Sequence, residues 1–169
     1  MNEKEIANLV KQAISGMYPE KKDVGTYELR NITLDVARRL IRLVEKKATE
    51  IGIPVVVAVS NAAARLVAVE CMDDSYIASL DIATGKAYTV VSLKMPTTEL
   101  KKLCQPGAPL YGVQQTNDGK IVIFGGGVPL WYDGYLIGGL GVSGGSEEQD
   151  TMLAEYGASV LEEAISCGK

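Results

Sequence analysis

Apolar positions along the chain fall into four helical stripes and several short β-prone runs. Ile6, Leu9, Val10, Ala13 and Ile14 recur at helical spacing, which predicts a short amphipathic helix over residues 3–15. Pro19, Gly25 and mixed charge over residues 18–31 then read as an arm. Ala37, Leu40, Ile41, Val44, Ala48 and Ile51 form a second stripe, with Thr33 as its N-cap, Asp35 in its first turn and Gly52 as its stop. The period then changes. Val55-Val56-Val57-Ala58-Val59 is an unbroken β-prone run, suited to burial on both faces, and Leu66-Val67-Ala68-Val69 returns it as a hairpin across the small residues 61–64.

A third helical stretch runs from Tyr76 to Lys94, closed by Pro96, and Thr97 can cap a short helix through Leu103. Strands are expected over residues 112–116, 120–124 and 135–142, with Asn117-Asp118-Gly119 and Asp133-Gly134 as turns. Val128 to Tyr132 adds a strand segment or an ordered loop. A last helix is expected from Glu147 to about Ser166, with Met152, Leu153, Tyr156, Val160, Leu161 and Ile165 on one side. The sum is an α+β fold: a hairpin-rich sheet of about five strands covered by helices.

Composition narrows the chemistry. At 169 residues, 47% hydrophobic and 22% charged, the chain suits one domain with a real core. It contains no histidine, so a Ser-His-Asp triad, a Cys-His pair and imidazole ligation of zinc or haem iron are excluded. Cys71, Cys104 and Cys167 are far apart and form no C-x-x-C pair. A net charge of −4 without a basic cluster argues against a general nucleic-acid binder. No apolar run reaches membrane-spanning length, and the first residues lack the pattern of a secretory signal, so a cytoplasmic location is expected.

Glycine concentrates in two places: Gly125-Gly126-Gly127-Val128-Pro129-Leu130, and Gly138-Gly139-Leu140-Gly141-Val142-Ser143-Gly144-Gly145-Ser146. The second leads into a helix whose start carries a capping box, Ser146 with Gln149, and open N–H groups at such a start can hold an anion. Glu147 and Glu148 in that first turn would compete with one. Residues 139–144 match G-x-G-x-x-G, but no strand with an acidic residue follows, so a dinucleotide fold does not fit. Two readings remain: the glycines make turns and close helix–sheet packing, or they line a ligand site.

Several ordered motifs carry a family resemblance. They are Met72-Asp73-Asp74-Ser75; Ser79-Leu80-Asp81-Ile82-Ala83 with Lys86-Ala87 and Thr89; Pro96-Thr97-Thr98-Glu99-Leu100; Gln105 to Gly112; Gly126 to Leu130; and Gly141 to Gly145 followed by Glu148-Gln149-Asp150. This set resembles the GlcG/HbpS/PduO-C-terminal family over about residues 33–167. Asn61, Ala63 and Ala64 depart from it, standing where family members usually carry Asp, Gly and Gly.

The resemblance implies a profilin-like α-β-α sandwich with an antiparallel five-stranded sheet, and homo-oligomers. It also implies links to haem, to corrinoid-handling proteins, and to glycolate, propanediol or glycerol utilisation. Residues 32–169 would form this domain, with 1–31 an extra N-terminal helix and arm. The ligand-binding set it points to is Lys86, Gly125, Gly126, Gly127, Pro129, Ser143, Gly144, Gly145, Gln149 and Asp150. Lys86 is either a snorkelling lysine or a cation for a ligand carboxylate or phosphate. Haem without histidine would turn to Tyr111, Tyr132, Met72, Cys71 or Cys104. Trp131 and Tyr132 suggest an exposed aromatic tip suited to an interface. Three functions follow: a ligand-binding accessory protein for haem, a corrinoid or a small organic acid; an enzyme working through Lys, Asp/Glu, Tyr or Cys; or an oligomeric partner of an enzyme, docked by the N-terminal helix.

Overall fold

A computed structural model describes residues 29–166. The expected helix over residues 3–15 and most of the arm lie outside the described residues.

Helix α1 (Leu34–Glu50) starts where the sequence predicts, with the Thr33 hydroxyl accepting from the Val36 N–H. It buries Ala37, Leu40, Ile41, Val44 and Ala48, and left-handed Gly52 turns the chain out of it. Strand β1 (Val56–Asn61) and strand β2 (Leu66–Cys71) form the expected antiparallel hairpin. Helix α2 (Ser79–Leu93) and the short helix α3 (Thr97–Leu103) follow. Strand β3 (Gly127–Tyr132) and strand β4 (Tyr135–Ser143) make a second hairpin, which joins the first through the antiparallel pairing of β4 with β1. Helices α4 (Glu147–Ser159) and α5 (Leu161–Ser166) close the described chain.

The sheet has four strands, in the order β2-β1-β4-β3, rather than the five expected. Residues 112–116 and 120–124 are not strands. Asn117, Asp118 and Gly119 all take positive φ, and short 3₁₀ turns occupy Val113–Gln115 and Asn117–Gly119. The chain then lies across α2. The Val122 N–H donates to the Thr89 hydroxyl, and Ile121 packs with Leu100 and Cys104 in a satellite core. Side-chain partners there replace the ladder bonds that a strand would need. Residues 128–132, left open between strand and loop, supply β3 instead.

Alternation along β1 shows the layers. Val55, Val57 and Val59 face the main core with α1, α4 and α5, whereas Val56 and Ala58 face Ala83 and Ala87 of α2. The sheet is therefore buried on both sides, which explains the unbroken apolar run. Strand β4 alternates likewise: Leu140 and Val142 enter the main core, while Gly139 and Gly141 lie under α2. A Cβ on Gly141 would sit 2.1 Å from the Ala83 carbonyl oxygen, and one on Gly139 2.6 Å from that of Ala87. The G-x-G spacing is thus a seat for a helix.

Two boundaries differ from expectation. Thr97 does not cap α3; Pro96 holds that position, and the Thr97 hydroxyl turns inward to accept from the Gly127 N–H at 3.0 Å. The expected final helix is interrupted at Val160, dividing it into α4 and α5.

Candidate functional site

Ser79, Ile82 and Lys86 follow one another down α2 at helical spacing. Because Gly127 and Gly141 have no side chains, the Lys86 stem passes between helix and sheet, and the residue is completely buried. Its ammonium donates to the Val142 carbonyl at 2.7 Å and to Asp150 Oδ2 at 2.8 Å. The Phe124 ring covers it, with the centroid 4.8 Å away. Asp150, in the first turn of α4, is also buried, and its Oδ1 accepts from the Gly145 N–H at 2.9 Å. Gly126, with φ +105°, lies against this pair; a Cβ there would meet Lys86 Nζ at 2.6 Å. Burial pushes the Lys86 ammonium below the ordinary lysine range, while the Asp150 hydrogen bond and the negative charges of Asp150 and Glu147 act in the opposite direction. Lys86 is therefore a buried, paired lysine and does not snorkel.

Above the pair opens a cleft of about 360 Å³, lined by the first turn of α2, Phe124 and the β4–α4 corner. Ser79 and Ser143 meet at its inner end, Oγ to Oγ 3.1 Å, both buried. Tyr76, Ile82 and Phe124 give it apolar walls. Glu147 stands at the rim with both oxygens engaged: Oε1 accepts from the Gly125 N–H at 2.9 Å, and Oε2 pairs with Lys101 at 2.6 Å. These two bonds, that to Lys101 foremost, hold the Glu147 carboxyl below its usual range. The neighbouring Glu148 carboxyl is lowered too, by its own backbone N–H and then by the Ser146 hydroxyl.

The ten residues singled out from sequence separate into groups. Ser143, Gly144, Gly145 and Asp150 line the cleft. Lys86 and Gly126 lie beneath it, and Gly127 is tied to Thr97. Gly125 binds Glu147 at the rim, where a Cβ would crowd Thr151. Pro129 stands in β3 opposite Gly139, on another part of the sheet. Gln149 completes the capping box, its side chain accepting from the Ser146 N–H at 2.8 Å. Tyr76, Ile82 and Phe124 were not anticipated as lining residues, nor was Ser79 given a ligand role. The stripe Ser79–Ile82–Lys86 was the available signal, since residues at that spacing share one helix face.

A second cavity, of about 570 Å³, lies across α2 between Ser60, Asp81, Thr84, Tyr88, Asp118 and Lys120. It is larger, but none of the ten residues reaches it. Trp131 and Tyr132 are exposed at the β3–β4 turn, as expected of an aromatic tip.

Known proteins share this architecture. An uncharacterised 15.0 kDa protein from the dhaT-dhaS intergenic region of Citrobacter freundii is 46% identical over 128 residues, covering 76% of this chain and 90% of that protein. The corrinoid adenosyltransferase PduO of Salmonella typhimurium is 44% identical over 123 residues, 73% of this chain, but the match spans only 37% of PduO. A crystal structure of a PduOC:heme complex matches with a TM-score of 0.73 at 40% identity, covering 76% of this chain and 94% of that one. The family model described as "Haem degrading protein HbpS-like" matches residues 32–159, and the chain belongs to that HbpS-like family.

Proposed function

We propose that this chain is a small-ligand-binding accessory protein, taking haem, a corrinoid or a small organic acid in the cleft between α2, Phe124 and the β4–α4 corner. The observation that carries this reading is the cleft itself: apolar walls around a buried polar end, set on a rigid helix–sheet seam. Likeness to a haem complex supports a tetrapyrrole, and likeness to PduO and to the dha-region protein supports a propanediol or glycerol utilisation setting.

The residues fit haem in a restricted way. Of the donor types that haem iron takes, the cleft holds a tyrosine, Tyr76, mostly exposed at its rim. Cys104 is buried in the satellite core, and that burial raises its thiol pKa, which disfavours a thiolate. Cys71 and Met72 line a different depression, with Arg42 and Lys46, and neither Tyr111 nor Tyr132 borders the cleft. Tyr76 would hold the iron, and the apolar walls would take the macrocycle face. Bound haem would supply a redox-active iron centre.

A titration followed by absorbance and thermal shift tests the reading, with haemin, cobalamins and small carboxylates as probes. Saturable stabilisation by one class, weakened by Ile82→Asp at the cleft wall, is expected. Silence across the panel with folded protein would defeat it.

The same proposal includes a cytoplasmic setting and a homo-oligomer. Ile77 is 98% exposed, beside exposed Tyr76 and Leu80, an apolar group suited to a subunit contact. Light scattering that finds a monomer at micromolar concentration would remove the oligomer. Residues 1–31 we read as an appendage to the domain 32–169, and as a docking element for an enzyme partner. Removing residues 1–28, which keeps Arg30 over the Tyr135 ring and Asn31 accepting from the Ala62 N–H, should abolish co-purification with that partner, and retained co-purification would remove the docking role.

A further inference from the structure

We infer that the larger cavity beside α2 is a second ligand site, for an elongated molecule carrying an ammonium at one end and a carboxylate at the other. The site is separate from the cleft, and the inference stands without the reading given to the cleft.

Three segments meet around this cavity of about 570 Å³: the β1–β2 hairpin, one face of α2, and residues 118–122. On α2 the face is set by spacing, since Asp81, Gly85 and Tyr88 lie four and then three residues apart. Gly85 lets the third segment come close, because a Cβ there would lie 2.7 Å from Val122 Cγ2. Two non-glycine residues of the lining, Ala64 and Asp118, are held at φ 57° and 56°. Left-handed backbone at such residues costs free energy, and here it shapes two of the rims.

The polar groups divide by position. At one end, the Asp81 carboxylate has neither hydrogen bond nor ion pair among the described residues; the Thr84 hydroxyl bonds its main-chain oxygen instead. At the other end, the Tyr88 hydroxyl accepts from Asn117 Nδ2 at 3.1 Å, and its own hydrogen has no acceptor among the described residues. Lys120 Nζ lies 6.0 Å from the centre of the Tyr88 ring and 3.9 Å from Asp118, without a hydrogen bond among the described residues. Leu66 and Val122 add apolar surface to the lining.

A carboxylate set apart from two donors, with apolar surface in the same cavity, suits a ligand with opposite charges at its ends. Asp81 and Tyr88 are seven residues apart, about 10 Å along the helix. A hydrogen bond of about 3 Å at each end leaves about 4–5 Å for the ligand, more than an α-amino acid spans and the reach of a short ω-amino acid.

The experiment titrates the full chain with 4-aminobutanoate and 5-aminopentanoate, against pentanoate, pentylamine and glycine, at constant ionic strength, by calorimetry and amide NMR. The ω-amino acids should bind saturably and shift the Gly85, Tyr88 and Gly119 amide signals. Each singly charged probe should bind about fivefold more weakly, the loss of one exposed charge contact, and glycine more weakly still. Asp81→Asn should bring 5-aminopentanoate down to the affinity of pentanoate, and Lys120→Gln down to that of pentylamine; both positions are exposed, so the fold is kept. Singly charged probes binding as tightly as the ω-amino acids, indifference to both substitutions, or signal shifts confined to the cleft would overturn the assignment. So would the absence of saturable binding by every probe.

Discussion

Replacing Lys86 by Met keeps an unbranched side chain of similar length in the seam and removes the ammonium. The Val142 carbonyl loses a donor at 2.7 Å, and Asp150 loses its counter-charge at 2.8 Å while remaining buried. Breaking one side of a buried pair costs about 3–5 kcal/mol, because the orphaned charge stays out of water. A domain of this size has a total stability of about 5–15 kcal/mol, so the substitution should consume a large part of it. Urea unfolding followed by circular dichroism reads the change as a lower midpoint at constant slope. The double variant Lys86→Met/Asp150→Asn removes both charges and should recover part of the loss, giving a coupling energy of at least about 1 kcal/mol. A single-variant cost below about 1 kcal/mol, or strictly additive costs in the cycle, would refute the argument that the pair is buried and mutually dependent.

Two further predictions test the frame around the pair. Gly141→Ala would place a Cβ 2.1 Å from the Ala83 carbonyl oxygen, so α2 must move; thermal unfolding should show a loss of about 1–3 kcal/mol or more, and no loss would mean that the seam is looser than described. Glu147 has its carboxyl held below the ordinary value of 4.5 by Lys101 and the Gly125 N–H, so its stabilisation is present above that pH and lost as pH falls through the lowered folded value. Glu147→Gln should therefore flatten the acid limb of a stability–pH curve, measured by denaturant midpoints between about pH 3 and 6; an unchanged limb would remove Glu147 as a contributor.

Much of this frame was legible because local rules sufficed. Thr33 and Ser146 each cap the helix that follows, as a hydroxyl ahead of a periodic stretch predicts, whereas Thr97 does not. Val55 to Val59 is buried on both faces, as an uninterrupted β-prone run implies. The error at residues 112–124 has a tertiary cause. Ile121, Val122 and Ile123 have strand composition, but Thr89 supplies the acceptor for Val122 and the Leu100–Cys104 cluster takes the apolar side chains. Neither partner is near in sequence. Lys86 was ambiguous for a similar reason: its carboxylate partner is 64 residues away, and periodicity on α2 cannot reveal a charge on α4. Tyr76 and Phe124 come from segments outside the regular elements, where no spacing rule applies.

The glycines and the buried pair form one physical device. Removing side chains at 139 and 141 lets α2 settle onto the sheet, and that close approach expels water from around the Lys86 stem. A lysine placed there must find a counter-charge, and Asp150 supplies it only because the β4–α4 corner turns back at Gly144 and Gly145. Asp150 also holds the Gly145 N–H, so the same carboxylate links helix α2 to the corner that forms the cleft's opposite wall. Lys86 and Asp150 therefore keep Ser79 and Ser143 at hydrogen-bond distance, Lys86 from beneath the cleft and Asp150 from its buried wall. On this geometry a loss of ligand binding on Lys86→Ala would not identify a contact with the ligand, because the cleft would lose its shape first. Substitutions at Ser79, Ser143 and Ile82, which reach the cleft directly, separate recognition from support.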